Sequence, residues 1–283
     1  MILYFYRKIN KRKNKQVIDE TKEARFKELY REKDIVVKSN DLIIQSRFDL
    51  SIQQQKILLY IISKINHKYD TEFRECIFDI KDFCDTCNIT YSGNNYTDLK
   101  AQLKAISDKS IWITLPNGQE TLLRWIEKPY IDVNSGYIRI RLDRDMKPYL
   151  LQLKQDFTKY ELIFTLQFKS KYSLRAYEFI KARVYNTVFE TIDEYDFVIT
   201  IDEFKKRIGA KYNDFGQLKQ WAIKPILKEI NEKSDIDIRF EYIKTNKITD
   251  KIRIFVKEKF IPEKLKIKES YLYGEQQSIF DNF

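Results

Sequence analysis

Apolar and polar positions along this chain keep two rhythms, one helical and one of strands, and the rhythms follow each other in the same order twice. In the first round, residues 36–44 open as a short helix and 50–65 follow as a longer one, capped by Asp49 or Ser51. Ile57, Leu58, Ile61, Ile62 and Ile65 recur at the spacing of one buried helical face. A strand over 75–80, a short helix over 81–87, a turn at Gly93 and a helix over 96–108 come next. The runs 111–115 and 121–127 flank Pro116-Asn117-Gly118, a strong hairpin signal, and a strand over 137–142 is expected to extend that sheet.

The second round occupies residues 170–260. A helix over 173–185 presents Leu174, Tyr177, Ile180, Ala182 and Val184 on its apolar side. A strand over 197–201 and a short helix over 202–208 lead through a Gly209 turn into a long helix over 218–231. An alternating ribbon closes the round, 236–242 out and 252–256 back, with a basic tip between Lys244 and Lys251. Two helices joined by a glycine turn, then a hairpin, make a winged helix-turn-helix, a shape that places one helix in a DNA major groove. Between the rounds, 145–168 carries a helix over 146–153 and an aromatic extended segment. It lacks the composition of a flexible linker.

The fold class expected is therefore α+β, two tandem winged helix-turn-helix domains held in a fixed relation. Their limits are 35–144 and 145–265, with a basic arm at 1–34 and a tail at 266–283.

Charge sharpens this picture. The net charge of +10 alone says only that polyanions are suitable partners. Its distribution is polarised: residues 1–40 hold twelve Lys/Arg against six Asp/Glu, and 201–268 hold 18 against 11, whereas 41–200 are balanced at 22 against 22. A basic arm and a basic second unit around a neutral middle suggest a nucleic-acid face; solvated surface lysines are the plainer alternative.

On a helical wheel, Phe215, Leu218, Ala222, Ile223, Ile226 and Ile230 fall on one side of the long helix. Gln217, Gln220, Lys224 and Lys228 fall on the other, with Trp221 at the border. A recognition helix offers its first half to bases, so Gln217 and Gln220 are the candidate base readers, and Lys224 and Lys228 suit guanine or phosphate. Lys219 lies inside the apolar arc and is expected to snorkel towards phosphate, while Trp221 is assigned to packing in preference to base stacking. Lys211, Tyr212 and Asn213 in the turn, and Lys244, Lys247 and Lys251 on the wing, are candidate phosphate contacts. Pro225 within the helix predicts a bend that curves the reading half along the groove. In the first unit the corresponding residues are Asn94, Asn95, Lys100 and Lys104, making weaker, backbone contacts. Two units on one DNA face would cover a site of roughly 20 base pairs.

Catalytic chemistry finds little support. His67 is the only histidine, which leaves no metal-binding pair for a nucleophilic tyrosine, and no phosphate-binding glycine loop occurs. Asp143-x-Asp145 and Asp193-Glu194-x-Asp196 read as solvated loop or strand-edge acids. Cys84-x-x-Cys87, with Cys76 and His67, has the spacing of half a zinc site, but on a short helix the two cysteines simply share a buried face. The odd count of three cysteines fits a reducing cytoplasm. No apolar run spans a bilayer, and the opening 1–6 has the wrong order for a signal peptide. The expectation is a cytoplasmic DNA-binding protein, neither enzyme nor membrane protein, without cofactor or metal.

Three segments resemble the iteron-binding plasmid replication initiators. They are Val37-Lys38-Ser39-Asn40 with Leu42, followed by Leu50-Ser51, Gln55 and the helix to Ile65; Tyr172-Ser173-Leu174-Arg175-Ala176-Tyr177-Glu178; and Pro225 with Lys228-Glu229-Ile230-Asn231, Ser234-Asp235-Ile236 and the final hairpin. Ile226 departs from the small residue common in that family, and the arm 1–34 has no counterpart there. The resemblance implies an initiator that binds tandem direct repeats (iterons) in double-stranded DNA at a plasmid origin, helps to open it and recruits host replication initiator or helicase proteins. It also implies a dimer that represses its own gene, with the first winged helix dimerising and touching DNA backbone and the second reading bases. A winged-helix transcriptional regulator without origin activity, or a protein-interaction scaffold, are the alternatives.

Overall fold

β-branched Val36 and Val37 begin the fold as a strand rather than the expected helix. β1 (Ile35–Ser39) pairs antiparallel with a strand some 120 positions later, a partner that local sequence cannot reveal. The computed structural model describes residues 34–87, 89, 96–185 and 194–273. The arm before Asp34, the turn at Gly93 with Asn94 and Asn95, Asp193 and the end of the tail lie outside the described residues.

Ser39 accepts the Leu42 amide at 3.1 Å and caps α1 (Asn40–Gln45), which leads to β2 (Ser46–Arg47). α2 (Ile52–Ser63) starts on a reciprocal cap, in which Ser51 accepts from the Gln54 amide and the Gln54 side chain from the Ser51 amide. Next come β3 (Cys76–Asp79), α3 (Ile80–Thr86), α4 (Thr97–Asp108) and the hairpin β4 (Ser110–Thr114) and β5 (Glu120–Arg124). Ser46 pairs with Ile113, so the first wing is the sheet β2-β4-β5. β6 (Tyr130–Asp132) and β7 (Tyr137–Ile140) do not extend it. They form a separate sheet with β3, in which Ile138 and Ile140 turn inward and Ile77, Tyr130 and Tyr137 outward. Alternation gives the strand but not its neighbour.

The helix expected over 146–153 is shorter, a 3-10 turn (Arg144–Met146) and α5 (Lys147–Leu150). It stops where Gln152 takes a left-handed φ of 51°. β8 (Phe157–Glu161) is the partner of β1, and α6 (Leu162–Leu166) leads into α7 (Lys171–Arg183). The second unit then runs β9 (Tyr195–Thr200), α8 (Ile201–Ile208), α9 (Phe215–Leu218), a π turn (Lys219–Ile223), α10 (Lys224–Lys233), β10 (Ile236–Thr245) and β11 (Ile248–Glu258). Its wing is the sheet β10-β11-β9. α11 (Ile261–Tyr273) runs across the limit at 265/266 expected for the tail.

A single apolar cluster joins both units, with Ile57 and Ile61 of α2, Phe164 of α6, Tyr177 of α7 and Ile226 of α10 all within it. Cys84 and Cys87 are buried in it, and among the described residues no group of three or more His, Cys, Asp or Glu could hold a metal ion. Polar groups inside are paired across long separations. Lys38 donates to Glu178 at 2.7 Å, and Tyr160 donates to the same carboxylate. The Tyr177 hydroxyl donates to Asp235 at 2.7 Å, with Lys181 on the other carboxylate oxygen at 2.9 Å.

These buried groups set an alkaline limit. Burial, reinforced by Glu178 for Tyr160 and by Asp235 for Tyr177, raises both phenols well above their ordinary 10.0. Burial also pushes the Cys84 thiol up to about 11 and the Cys87 thiol higher still. A raised folded pKa favours the fold below the unfolded value and loses that contribution as pH rises through the folded one. Burial lowers the Lys38 pKa from 10.5, an effect of opposite sign that is complete once unfolded lysine has titrated. Stability should therefore fall steadily above about pH 10.5. Urea midpoints taken at intervals up to pH 12 should show this, with a shallower fall in Tyr160→Phe; an unchanged slope in that variant would count against the assignment.

Candidate nucleic-acid interface

Thr200 accepts the Glu203 amide at 3.2 Å and starts α8. Gly209 ends it at φ 70°, a left-handed conformation that turns the chain sharply towards the next helix. Asp214 then caps α9, accepting the Gln217 amide at 2.9 Å. At Gly216 beside it, a Cβ would lie 2.9 Å from the capping oxygen, so the Asp214 side chain would have to shift.

The long helix divides cleanly between faces. Leu218, Ala222, Ile223, Ile226 and Ile230 are fully buried, while Gln217, Lys219, Gln220, Trp221, Lys224 and Lys228 are exposed. It is not one continuous α-helix. The Lys224 amide reaches back five residues to the Lys219 carbonyl, and Pro225 follows in the first turn of α10. A widened turn accommodates proline, whose ring would otherwise crowd the carbonyl four residues before it.

Trp221 is 61 % exposed, so the assignment of this ring to packing is corrected. Its place at the border of the polar side of the wheel lets the ring face outward. Lys219 is exposed too, its Nζ 4.9 Å from the centre of the Tyr242 ring on the wing. That ring packs edge-on against Phe215 at 5.4 Å, so the wing and the helix start share an aromatic joint. Gln220 accepts from Lys224 at 2.5 Å through its carboxamide oxygen, leaving the amide hydrogens to donate.

The turn residues differ among themselves. Asn213 and Lys211 are exposed, though the Lys211 Nζ lies 3.8 Å from Asp49, a carboxylate of the first unit already held by Lys171 at 2.9 Å. The Lys171 hydrogen bond and charge keep the Asp49 carboxyl below its ordinary value. Tyr212 packs inward against Tyr172, ring centres 6.0 Å apart. Burial and the hydrogen bond with Tyr212 push the Tyr172 phenol up to about 12.

The wing is longer than expected and its tip tighter. β10 and β11 continue to Thr245 and Ile248, and only Asn246 and Lys247 turn the chain, at φ 51° and 68°. Positive φ at both turn residues matches the twist of the flanking strands. Lys244, Lys247 and Lys251 are exposed, and among the described residues none has a carboxylate within salt-bridge distance. Ile248 beside them is 71 % exposed, an apolar tip that parity places inward and that the bulge between Ile243 and Lys244 and the distance from the core leave outside.

In the first unit, Lys100 is exposed on α4, while Lys104 is tied to Asp108 one turn on. Asn94 and Asn95 lie outside the described residues.

Comparison with known proteins gives the family. The model described as Initiator Replication protein, WH1, matches residues 35–181, and that described as Initiator Rep protein, WH2, matches residues 200–256. A replication initiation protein of Escherichia coli is 28 % identical over 211 residues, which cover 72 % of this chain and 64 % of that relative's length. Among solved structures, the Pi initiator protein in complex with iteron DNA shares the fold. Its TM-score is 0.66 at 21 % identity, over 81 % of this chain and 99 % of that one.

Proposed function

This chain belongs to the initiator replication protein family and carries both of its winged-helix units, and from that membership we propose that it binds tandem direct repeats at a plasmid replication origin. The observation that carries the reading is the outer face of the long helix. Gln217, Gln220, Trp221 and Lys224 project from a helix that buries Leu218, Ala222, Ile223, Ile226 and Ile230 on its opposite face, beside a wing bearing three lysines without acid partners among the described residues. Glutamine pairs bidentately with adenine, tryptophan offers an apolar surface to the thymine methyl, and lysine serves guanine or phosphate.

In this reading Gln217 and Gln220 read bases, while Lys219, Lys224 and Lys228 hold the groove edges. Lys211 and Asn213, with Lys244, Lys247 and Lys251, grip phosphates, and Tyr212 supports the turn from beneath. Lys100 makes a backbone contact from the first unit. Origin opening, recruitment of host replication proteins, a self-repressing dimer and a cytoplasmic site of action belong to the same proposal. The role is binding rather than catalysis. No helix among the described residues is long and apolar enough to cross a membrane.

Selection of native DNA fragments on the purified protein at near-physiological salt, followed by footprinting, tests this. The expected result is protection of tandem direct repeats of about two helical turns each beside an AT-rich tract, with affinity falling steeply with salt. A lone inverted repeat before a gene would point to a transcriptional regulator instead, and absence of sequence preference would exclude both.

A further inference from the structure

Arg175 of α7 and Arg207 of α8 are spent on backbone carbonyls of the first unit. Arg175, 6 % exposed on α7, donates through Nη2 to the Ser46 carbonyl at 3.3 Å and to the Arg207 carbonyl at 3.1 Å. Arg207, near the end of α8, donates its own Nη1 to the Ile44 carbonyl. The Arg175 guanidinium also lies over the Phe48 ring, 4.2 Å from its centre, and that ring meets Trp125 edge-on at 4.9 Å. Ser46 belongs to the first wing through its pairing with Ile113, and Arg207 stands two residues before the Gly209 turn into the reading helix. One guanidinium nitrogen thus bonds the first wing on one side and the second helix-turn-helix on the other.

Nothing in DNA reading itself asks for this residue, which is buried away from the exposed lysines and glutamines. Its donors are instead aimed at the two elements whose relative placement decides where each unit meets DNA. We infer that Arg175 is a positioning residue that fixes the separation and phase of the two winged helices, so that the protein reads its site as one rigid span. The inference rests on the DNA-binding function proposed above. A planar guanidinium suits this role because it satisfies two carbonyls in one plane and stacks on Phe48 with its face, whereas lysine can donate but not stack in this way.

Rigid coupling makes a specific demand on DNA. Inserting about 5 base pairs, half a helical turn, between the two contacted segments of a footprinted site rotates them to opposite faces of the duplex. Two units held rigidly cannot then engage together, and the gain from linked binding, on the order of a hundredfold, is lost. Two units free to swivel give up part of that gain on the intact site and keep more of it on the interrupted one.

The experiment measures affinities of the full chain for intact and interrupted sites, with wild type, Arg175→Met and Arg175→Lys, each checked for a cooperative melt. The expected result is an intact-to-interrupted ratio near a hundredfold for wild type, below about tenfold for Arg175→Met and intermediate for Arg175→Lys. General destabilisation lowers both affinities and leaves the ratio alone. An unchanged ratio in either folded variant overturns the inference. So does a wild-type protein that binds its site specifically but tolerates the insertion, an arm that stands even if Arg175→Met fails to fold. Absence of specific binding by wild type overturns the proposed function instead.

Discussion

Replacing Glu178 by alanine should lower the free energy of unfolding by about 3–5 kcal/mol, the range seen when one partner of a buried ion pair is removed. Glu178 is 1 % exposed, and its carboxylate receives both the Lys38 ammonium and the Tyr160 hydroxyl. Without it, Lys38 must either keep a charge in an apolar setting or give up its proton, and the Tyr160 hydroxyl has no acceptor. Because the pair joins β1 to α7, the loss reaches two elements 140 positions apart in the chain. Urea unfolding at neutral pH measures it, and a change below about 1 kcal/mol would show the pair to be dispensable. The double variant Lys38→Met, Glu178→Leu should recover much of the loss, since apolar replacement of a whole buried pair is often neutral.

The second large effect is expected on DNA. Gln220→Ala should weaken binding to the selected repeat by about 1–3 kcal/mol, roughly fivefold to 150-fold, and relax preference at one base position. Binding to unrelated DNA should hardly change, because phosphate contacts carry that component. Lys247→Ala, at the wing tip, should do the reverse. It should weaken all sequences alike and reduce the salt slope by about one unit. Equal losses on specific and unrelated DNA for Gln220→Ala would remove this residue from base reading.

How far the sequence anticipates the molecule depends on the range of the interaction involved. Most helices and both hairpins follow from local periodicity and capping, whereas β1, β2 and β6 do not, and the buried and exposed sides of the long helix follow from a wheel. Partners distant along the chain do not. β1 looks helical until its pairing with β8 is known, and β7 looks like a neighbour of β5 although it lies beside β3. Within the candidate interface, Gln217, Gln220 and Lys224 stand where a regular helix places them. Trp221 is exposed from its border place on the wheel, against the expectation of packing, and the five-residue turn before Pro225 is the feature a wheel does not give. A proline inside a strongly amphipathic pattern is the available signal, and it announces an irregularity without specifying its kind. Lys104 reads in sequence as a DNA-backbone contact and is tied to Asp108, a pairing that the four-residue spacing does offer.

The apolar cluster shared by both units bears on how such a protein can acquire a new target. Exchange of whole domains between relatives would cut through packed side chains and through the carbonyl contacts at Ile44 and Ser46, so chimaeras should often fail to fold unless residues 44–50 travel with the incoming unit. The outer face of the long helix carries no such burden. Its residues contribute almost nothing to packing, and substitutions there cost little folding stability. Divergence among relatives should therefore proceed by single replacements on that face, with the frame inherited as an indivisible whole.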